Sequence, residues 1–172
     1  MKTRQENADM ENGGNTPGQG LNILMVDDDE ICLFIQRRVL ELSEQCNMIQ
    51  SATNGKIALE LLHRAATEEH ALPDIILLDL QMPVMNGTQF LEAFRCMDFS
   101  GKERIAIVLL TSSVWESDKA YAMSLGVSHY LTKPFTADAL DALLSSLHNE
   151  KIPVPAIRTI LHPDQKKNFK NQ

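Results

Sequence analysis

Three carboxylates, a hydroxyl and an ammonium stand at the ends of apolar runs: Asp27-Asp28 after ILMV, Asp79 after IILL, Thr111 after IAIVLL, and Lys133-Pro134 after VSHYLT. Carboxylates bind hard divalent cations and can attack phosphorus, while a hydroxyl and an ammonium can hold the oxygens of a phosphoryl group in transfer. If these positions meet in space, they make a Mg2+ and phosphoryl site.

The elements between them are what would bring them together. Short apolar runs alternating with helix-patterned segments predict parallel strands at residues 23–26, 48–52, 75–78, 105–110 and 127–131. Open parallel sheets bind ligands beyond the carboxyl ends of their strands, so all four positions fall on one edge. The expected fold is α/β, a doubly wound five-stranded parallel sheet with helices on both faces and right-handed crossovers.

Helical stripes fill the gaps. The first helix is expected to bury Ile31, Phe34, Ile35, Val39 and Leu42, spaced i, i+3, i+4, i+8, i+11, with Asp29 and Glu30 suited to capping its start. After a turn at Thr53-Asn54-Gly55, the second is expected to bury Ile57, Ala58, Leu61, Leu62 and Ala65. Pro83 and Asn86-Gly87 make residues 80–87 a loop before a helix carrying Phe90, Leu91 and Phe94. A short helix is expected at residues 116–124. The last helix, N-capped by Thr136 with Asp138 in its first turn, presents Leu140, Leu143, Leu144 and Leu147.

Composition limits the function classes. The 172 residues are 44% hydrophobic and 5% aromatic, an aliphatic core for one domain. A net charge of -7 disfavours a phosphate backbone as partner, so no nucleic-acid binding is expected. Residues 151–172 carry five basic side chains against one acidic, a balance of +4 that leaves -11 for residues 1–150. Cys32, Cys46 and Cys96 are odd in number and lack CxxC spacing, which predicts reduced thiols rather than disulfides or a zinc site. The five histidines show no ligand spacing. No apolar stretch reaches membrane-spanning length, and the polar first twenty residues hold no signal-peptide core. The expected organisation is a disordered leader at 1–20, one domain at 21–150 and a basic tail at 151–172 with no effector domain, in the cytoplasm.

In order and spacing, LMVDDD, DIILLDLQMPVMNG, VLLTSS and HYLTKPF resemble the landmarks of response regulator receiver domains in two-component signalling, in the single-domain, chemotaxis-regulator-like form. The resemblance covers residues 21–150. It implies a flavodoxin-like strand order 2-1-3-4-5, with Asp79 as phosphoacceptor and a Mg2+ ion held by Asp28 and Asp79 directly, by Asp27 through water, and by the Gln81 backbone carbonyl. It further implies that Lys133, before a cis peptide bond to Pro134, and Thr111 meet phosphoryl oxygens, aided by the backbone N–H groups of Leu80 and Ser112. Tyr130 takes the family's aromatic switch position. Gln81 and Ser113, uncharged at the positions that tune hydrolysis, imply an intermediate phosphoryl lifetime. Trp115 has no specified role.

The implied function is a stand-alone switch. A sensor histidine kinase or histidine phosphotransfer protein supplies the phosphoryl group, and the output is binding to a further protein or weak dimerisation through the fourth helix, fifth strand and fifth helix. Such a chain is a phosphoacceptor rather than an enzyme acting on other substrates. Two other readings compete: a haloacid-dehalogenase-like phosphatase, for which Asp27-x-Asp29 offers a DxD, and a receiver-like scaffold that is not phosphorylated. The first leaves DLQMPVMNG unexplained and has Ile31 where such enzymes carry Thr or Val; the second predicts a lost acceptor or lysine.

Overall fold

Strands can be apolar on both faces only where both faces are covered. β1 (Leu21–Val26), β2 (Cys46–Ala52), β3 (Ile75–Asp79), β4 (Ala106–Thr111) and β5 (His129–Thr132) form one parallel sheet in the order β2-β1-β3-β4-β5. The computed structural model describes residues 20–68, 70–112, 116–127 and 129–149, apart from the side chains of residues 116–119, 148 and 149. The leader up to residue 19, the tail from residue 150, Ser113, Trp115 and His162 lie outside the described residues.

The helices are α1 (Glu30–Glu41), α2 (Gly55–Thr67), α3 (Gly87–Cys96), α4 (Glu116–Ser124) and α5 (Ala137–Asn149), with a 3-10 turn at Lys102–Arg104 that the sequence reading did not anticipate. Side chains alternate along each strand, and two cores result. Leu24, Val26, Ile76, Leu78, Ile107 and Leu109 pack with Leu62, Phe90 and Leu91 of α2 and α3 and with Ala122 of α4. On the opposite face Ile23, Met25, Ile75, Leu77, Val108 and Leu110 pack with Leu33 and Leu40 of α1 and Leu140, Leu143 and Leu144 of α5. The doubly wound five-stranded sheet is therefore as expected, with order 2-1-3-4-5.

Several element boundaries differ from expectation for local reasons. β5 begins at His129 rather than at 127, because the Val127 N–H turns back to the Ala122 carbonyl (3.4 Å) and Gly126 takes a left-handed φ of 101°. Both belong to the closing turn of α4. Likewise Ile105 closes the 3-10 turn on Lys102 (3.1 Å), and the ladder of β4 starts one residue later.

The larger correction concerns α1. The stripe expected to be buried is largely exposed: Ile31 is 71%, Phe34 60%, Ile35 48% and Leu42 78% accessible, with only Val39 packed against the core. Leu33, Gln36 and Leu40 face the sheet instead. Asp29 fixes only the start of the helix, its carboxylate accepting the N–H groups of Ile31 and Cys32 (2.8 and 3.2 Å). The inner line is set by what it meets, the core under the sheet for Leu33 and Leu40 and the Asp27 carboxylate for Gln36. In α2, Ile57 is likewise at the surface while Ala58 and Leu62 are buried.

The loop between β3 and α3 holds one non-glycine residue in left-handed backbone, Val84 at φ 69°, with a side chain 80% exposed. A β-branched residue there stores strain on the order of 1–3 kcal/mol. Glycine removes that strain and returns roughly 0.5–1 kcal/mol through the greater freedom of the unfolded chain. Val84→Gly is therefore expected to raise the melting temperature by about 3 °C in a calorimetric scan. An unchanged or lower value would contradict the strain.

Candidate functional site

Each functional side chain is delivered by a strand end. Asp27 and Asp28 follow β1, Asp79 is the last residue of β3, Thr111 the last of β4, and Lys133 follows β5. β1 and β3 are neighbours although β2 lies between them in sequence, so Asp27 and Asp79 flank the point where the winding reverses. There a carboxylate oxygen from each of Asp27, Asp28 and Asp79 lies within 4.8 Å of the others. Asp27 is fully buried, Asp79 partly so, and Asp28 is exposed.

Lys133 joins two of the three. Its Nζ donates to Asp27 Oδ2 at 2.8 Å and to Asp79 Oδ2 at 2.9 Å. Its backbone N–H donates to the Thr111 carbonyl (2.7 Å), and the Lys133–Pro134 bond is cis, as expected. Burial pulls the lysine pKa down, but the bonds to Asp27 and Asp79 outweigh burial and hold it above its ordinary value. Asp29, by contrast, is held below the usual carboxylate range, chiefly by the Cys32 N–H and thiol and by the Ile31 N–H. It serves as the helix cap, which leaves a dehalogenase-type DxD without its second acid.

Asp79 has a further donor. Asp79 Oδ1 takes the Gln81 N–H at 3.2 Å. Thr111 Oγ1 is buried and has no hydrogen-bond partner among the described residues. A buried hydroxyl without a partner is costly. Thr111 ends β4 one residue past Leu110, the ladder partner of Asp79. The oxygen-only donor set at Asp27, Asp28 and Asp79 is compatible with a hard dication. Tyr130 on β5 is half exposed. Leu80 is buried in the loop after β3 and Ser112 lines the site cavity.

Asn86-Gly87 explains itself in the same place. Asn86 caps α3 in a reciprocal capping box with Gln89. A Cβ on Gly87 would stand 2.4 Å from the Asp79 carbonyl oxygen and 2.8 Å from Leu80 Cα, so only glycine lets α3 pack this tightly behind β3.

The sequence reading missed Gln36, whose Nε2 donates to Asp27 Oδ2 at 3.0 Å. Its one signal was a lone polar residue between Leu33 and Leu40 on a helical line. It also missed a cavity of about 480 Å³ that runs from the three acidic residues between α1 and the loop after β5, past Cys32, Ile35, Gln36, Val39 and Phe135.

Known proteins resemble this chain in sequence and fold. The family model for the response regulator receiver domain matches residues 23–145. Among curated relatives, a protein-glutamate methylesterase/protein-glutamine glutaminase of Treponema pallidum is 34% identical over 119 residues, covering 68% of this chain and 27% of that protein. The nitrate/nitrite response regulator protein NarL of Escherichia coli is 31% identical over 140 residues, covering 81% of this chain and 60% of that one. The chain thus spans from about a quarter to three-fifths of these relatives. Among solved structures, a two-component response regulator from Cytophaga hutchinsonii aligns with a TM-score of 0.69 at 30% identity, over 77% of this chain and 100% of that one. Chemotaxis protein CheY4 of Vibrio cholerae aligns at 0.63 and 26% identity, over 74% and 98%. Neither the dehalogenase-like nor the scaffold reading draws support from these matches. With its strand-end carboxylates, hydroxyl and lysine on a sheet of order 2-1-3-4-5, the chain belongs to the response regulator receiver domain family.

Proposed function

We propose that the chain is a phosphorylation switch whose acceptor is Asp79, working with Mg2+ and relaying the signal through protein–protein contacts. The observation that carries this reading is the pairing of Lys133 Nζ with Asp79 Oδ2 at 2.9 Å, next to a strand ending in Thr111, whose buried Oγ1 has no hydrogen-bond partner among the described residues. A carboxylate oxygen of Asp79 forms a bond to phosphorus as the bond to the donor's leaving atom breaks, and the electron pair of that bond departs with the leaving group. Lys133 turns from Asp79 to a phosphoryl oxygen, and Thr111 donates its hydroxyl to another. The backbone N–H groups of Leu80 and Ser112 complete the cradle.

Asp27, Asp28, Asp79 and the Gln81 carbonyl would hold the ion. Mg2+, when bound, neutralises charge that builds on the oxygens during transfer. Thr111 moving toward the phosphoryl group leaves room for Tyr130, now half exposed, to swing inward, which would change the face of α4, β5 and α5 offered to a downstream protein or a second copy. With Gln81 and Ser113 uncharged, the phosphoryl lifetime is intermediate.

The donor is a histidine kinase or phosphotransfer protein, and its docking surface is the exposed face of α1. Ile31, Phe34, Ile35 and Leu42 form an apolar strip, and Ile35 also lines the cavity that leads to Asp79. Contiguous apolar surface bordering a reaction site marks a partner interface. Among the described residues no helix is long and apolar enough to cross a membrane. The cytoplasm, where such donors present their phosphohistidine, is the proposed compartment, and the receiver is proposed to span residues 21–150.

The test is intact mass after incubation with acetyl phosphate. One phosphoryl adduct is expected, absent with chelator in place of Mg2+ and mapped to Asp79 by peptide analysis. No adduct, or one on another residue, would overturn the assignment.

A further inference from the structure

α1 turns three residues toward the sheet, Leu33, Gln36 and Leu40, and the middle one is a carboxamide only 5% exposed. Gln36 Nε2 donates to Asp27 Oδ2 at 3.0 Å, while its Oε1 is buried with no partner among the described residues. A half-satisfied buried amide gains little stability over an apolar side chain of the same length. Its bond to Asp27 is therefore the informative feature.

Asp27 receives three donors from three elements. The Asp29 N–H reaches Oδ1 at 3.1 Å, and Oδ2 takes both Gln36 and Lys133. Lys133 is shared with Asp79 and has to turn to the phosphoryl group when one arrives. Gln36 has no such second task. Being neutral, it fixes the carboxylate without cancelling the charge that attracts a cation.

On the phosphoacceptor reading above, we propose that Gln36 is a positioning residue: it holds the buried Asp27 carboxylate in place for the divalent ion and keeps it there when Lys133 leaves. The role is indirect, since Gln36 reaches the site only through Asp27.

The test is Gln36→Met in the full chain, with Mg2+ affinity measured by isothermal titration calorimetry and melting temperature measured in chelator. The Mg2+ dissociation constant is expected to rise roughly tenfold, the effect of losing one hydrogen bond to a charged group. Without metal the melting temperature is expected to stay level or rise. Should Gln36→Met not fold, Gln36→Leu is measured in its place with the same expectation. A Mg2+ dissociation constant within twofold of wild type, in either folded variant, would overturn the proposal and leave Gln36 as packing. If the wild type itself binds no Mg2+, the phosphoacceptor reading fails first, and the inference about Gln36 falls with it.

Discussion

Lys133→Met is expected to slow phosphorylation of Asp79 by acetyl phosphate by about 100-fold or more, and to weaken the fold in the same stroke. The kinetic loss follows from removing a preorganised cation from the place where charge grows on the transferring group, an effect typically worth roughly 10²–10³ in rate. The stability loss follows from Asp27. That carboxylate is fully buried, and Lys133 is the only cation paired with it among the described residues. Taking one partner from a buried pair strands the other, at a cost of about 3 kcal/mol. Gln36 and the Asp29 N–H remain, so the protein still folds, but with a lower midpoint in urea. Mg2+ should restore part of that midpoint by binding the carboxylates of the folded state alone. The two readouts separate the roles. Unchanged stability with a slow rate would mean that Asp27 is solvated rather than ion-paired, whereas lost stability with an intact rate would remove Lys133 from the chemistry.

Why the site was legible in the sequence while α1 was not comes down to different physics. A parallel sheet puts every strand's carboxyl end on one edge, so a polar residue ending each apolar run declares its position without any knowledge of packing. Asp27, Asp28, Asp79 and Lys133 converge for that reason, and Thr136 and Asp29 cap their helices because capping chemistry is local. The orientation of α1 is not local. Hydrophobic periodicity selects the richest stripe, here Ile31, Phe34, Ile35, Val39 and Leu42, on the premise that apolar means buried. That premise fails on α1, where Ile31, Phe34, Ile35 and Leu42 stay exposed. The true inner line, Leu33-Gln36-Leu40, contains a glutamine whose reason for burial is a carboxylate nine residues earlier, a pairing visible only in three dimensions. The late start of β5 at His129 has a local cause instead, since Val127 gives its N–H to the Ala122 carbonyl in the turn that closes α4.

The exposed strip on α1 gives the second large effect. Phe34→Glu is expected to cut phosphoryl transfer from a cognate histidine kinase or phosphotransfer protein by roughly 30-fold or more, while phosphorylation by acetyl phosphate stays at the wild-type rate. Phe34 is 60% exposed, with the Arg38 guanidinium over its ring at 5.3 Å, and it lies between Ile31 and Ile35 on the helix surface. An aromatic residue at the centre of an apolar interface commonly contributes about 2 kcal/mol or more to binding, a factor of roughly 30, and a buried glutamate adds a desolvation penalty. The small donor needs only Asp79, Lys133, Thr111 and the metal carboxylates, none of which Phe34 touches among the contacts described. Stability should change little, because replacing an exposed ring removes no core packing. An equal loss with both donors would place Phe34 in the architecture of the site, and an unchanged rate with the protein donor would move the docking surface off α1. The outcome also decides the meaning of the misread helix: a face so apolar and so accessible is either where the phosphodonor sits or an unmanaged liability, and only the first predicts a loss confined to the protein donor.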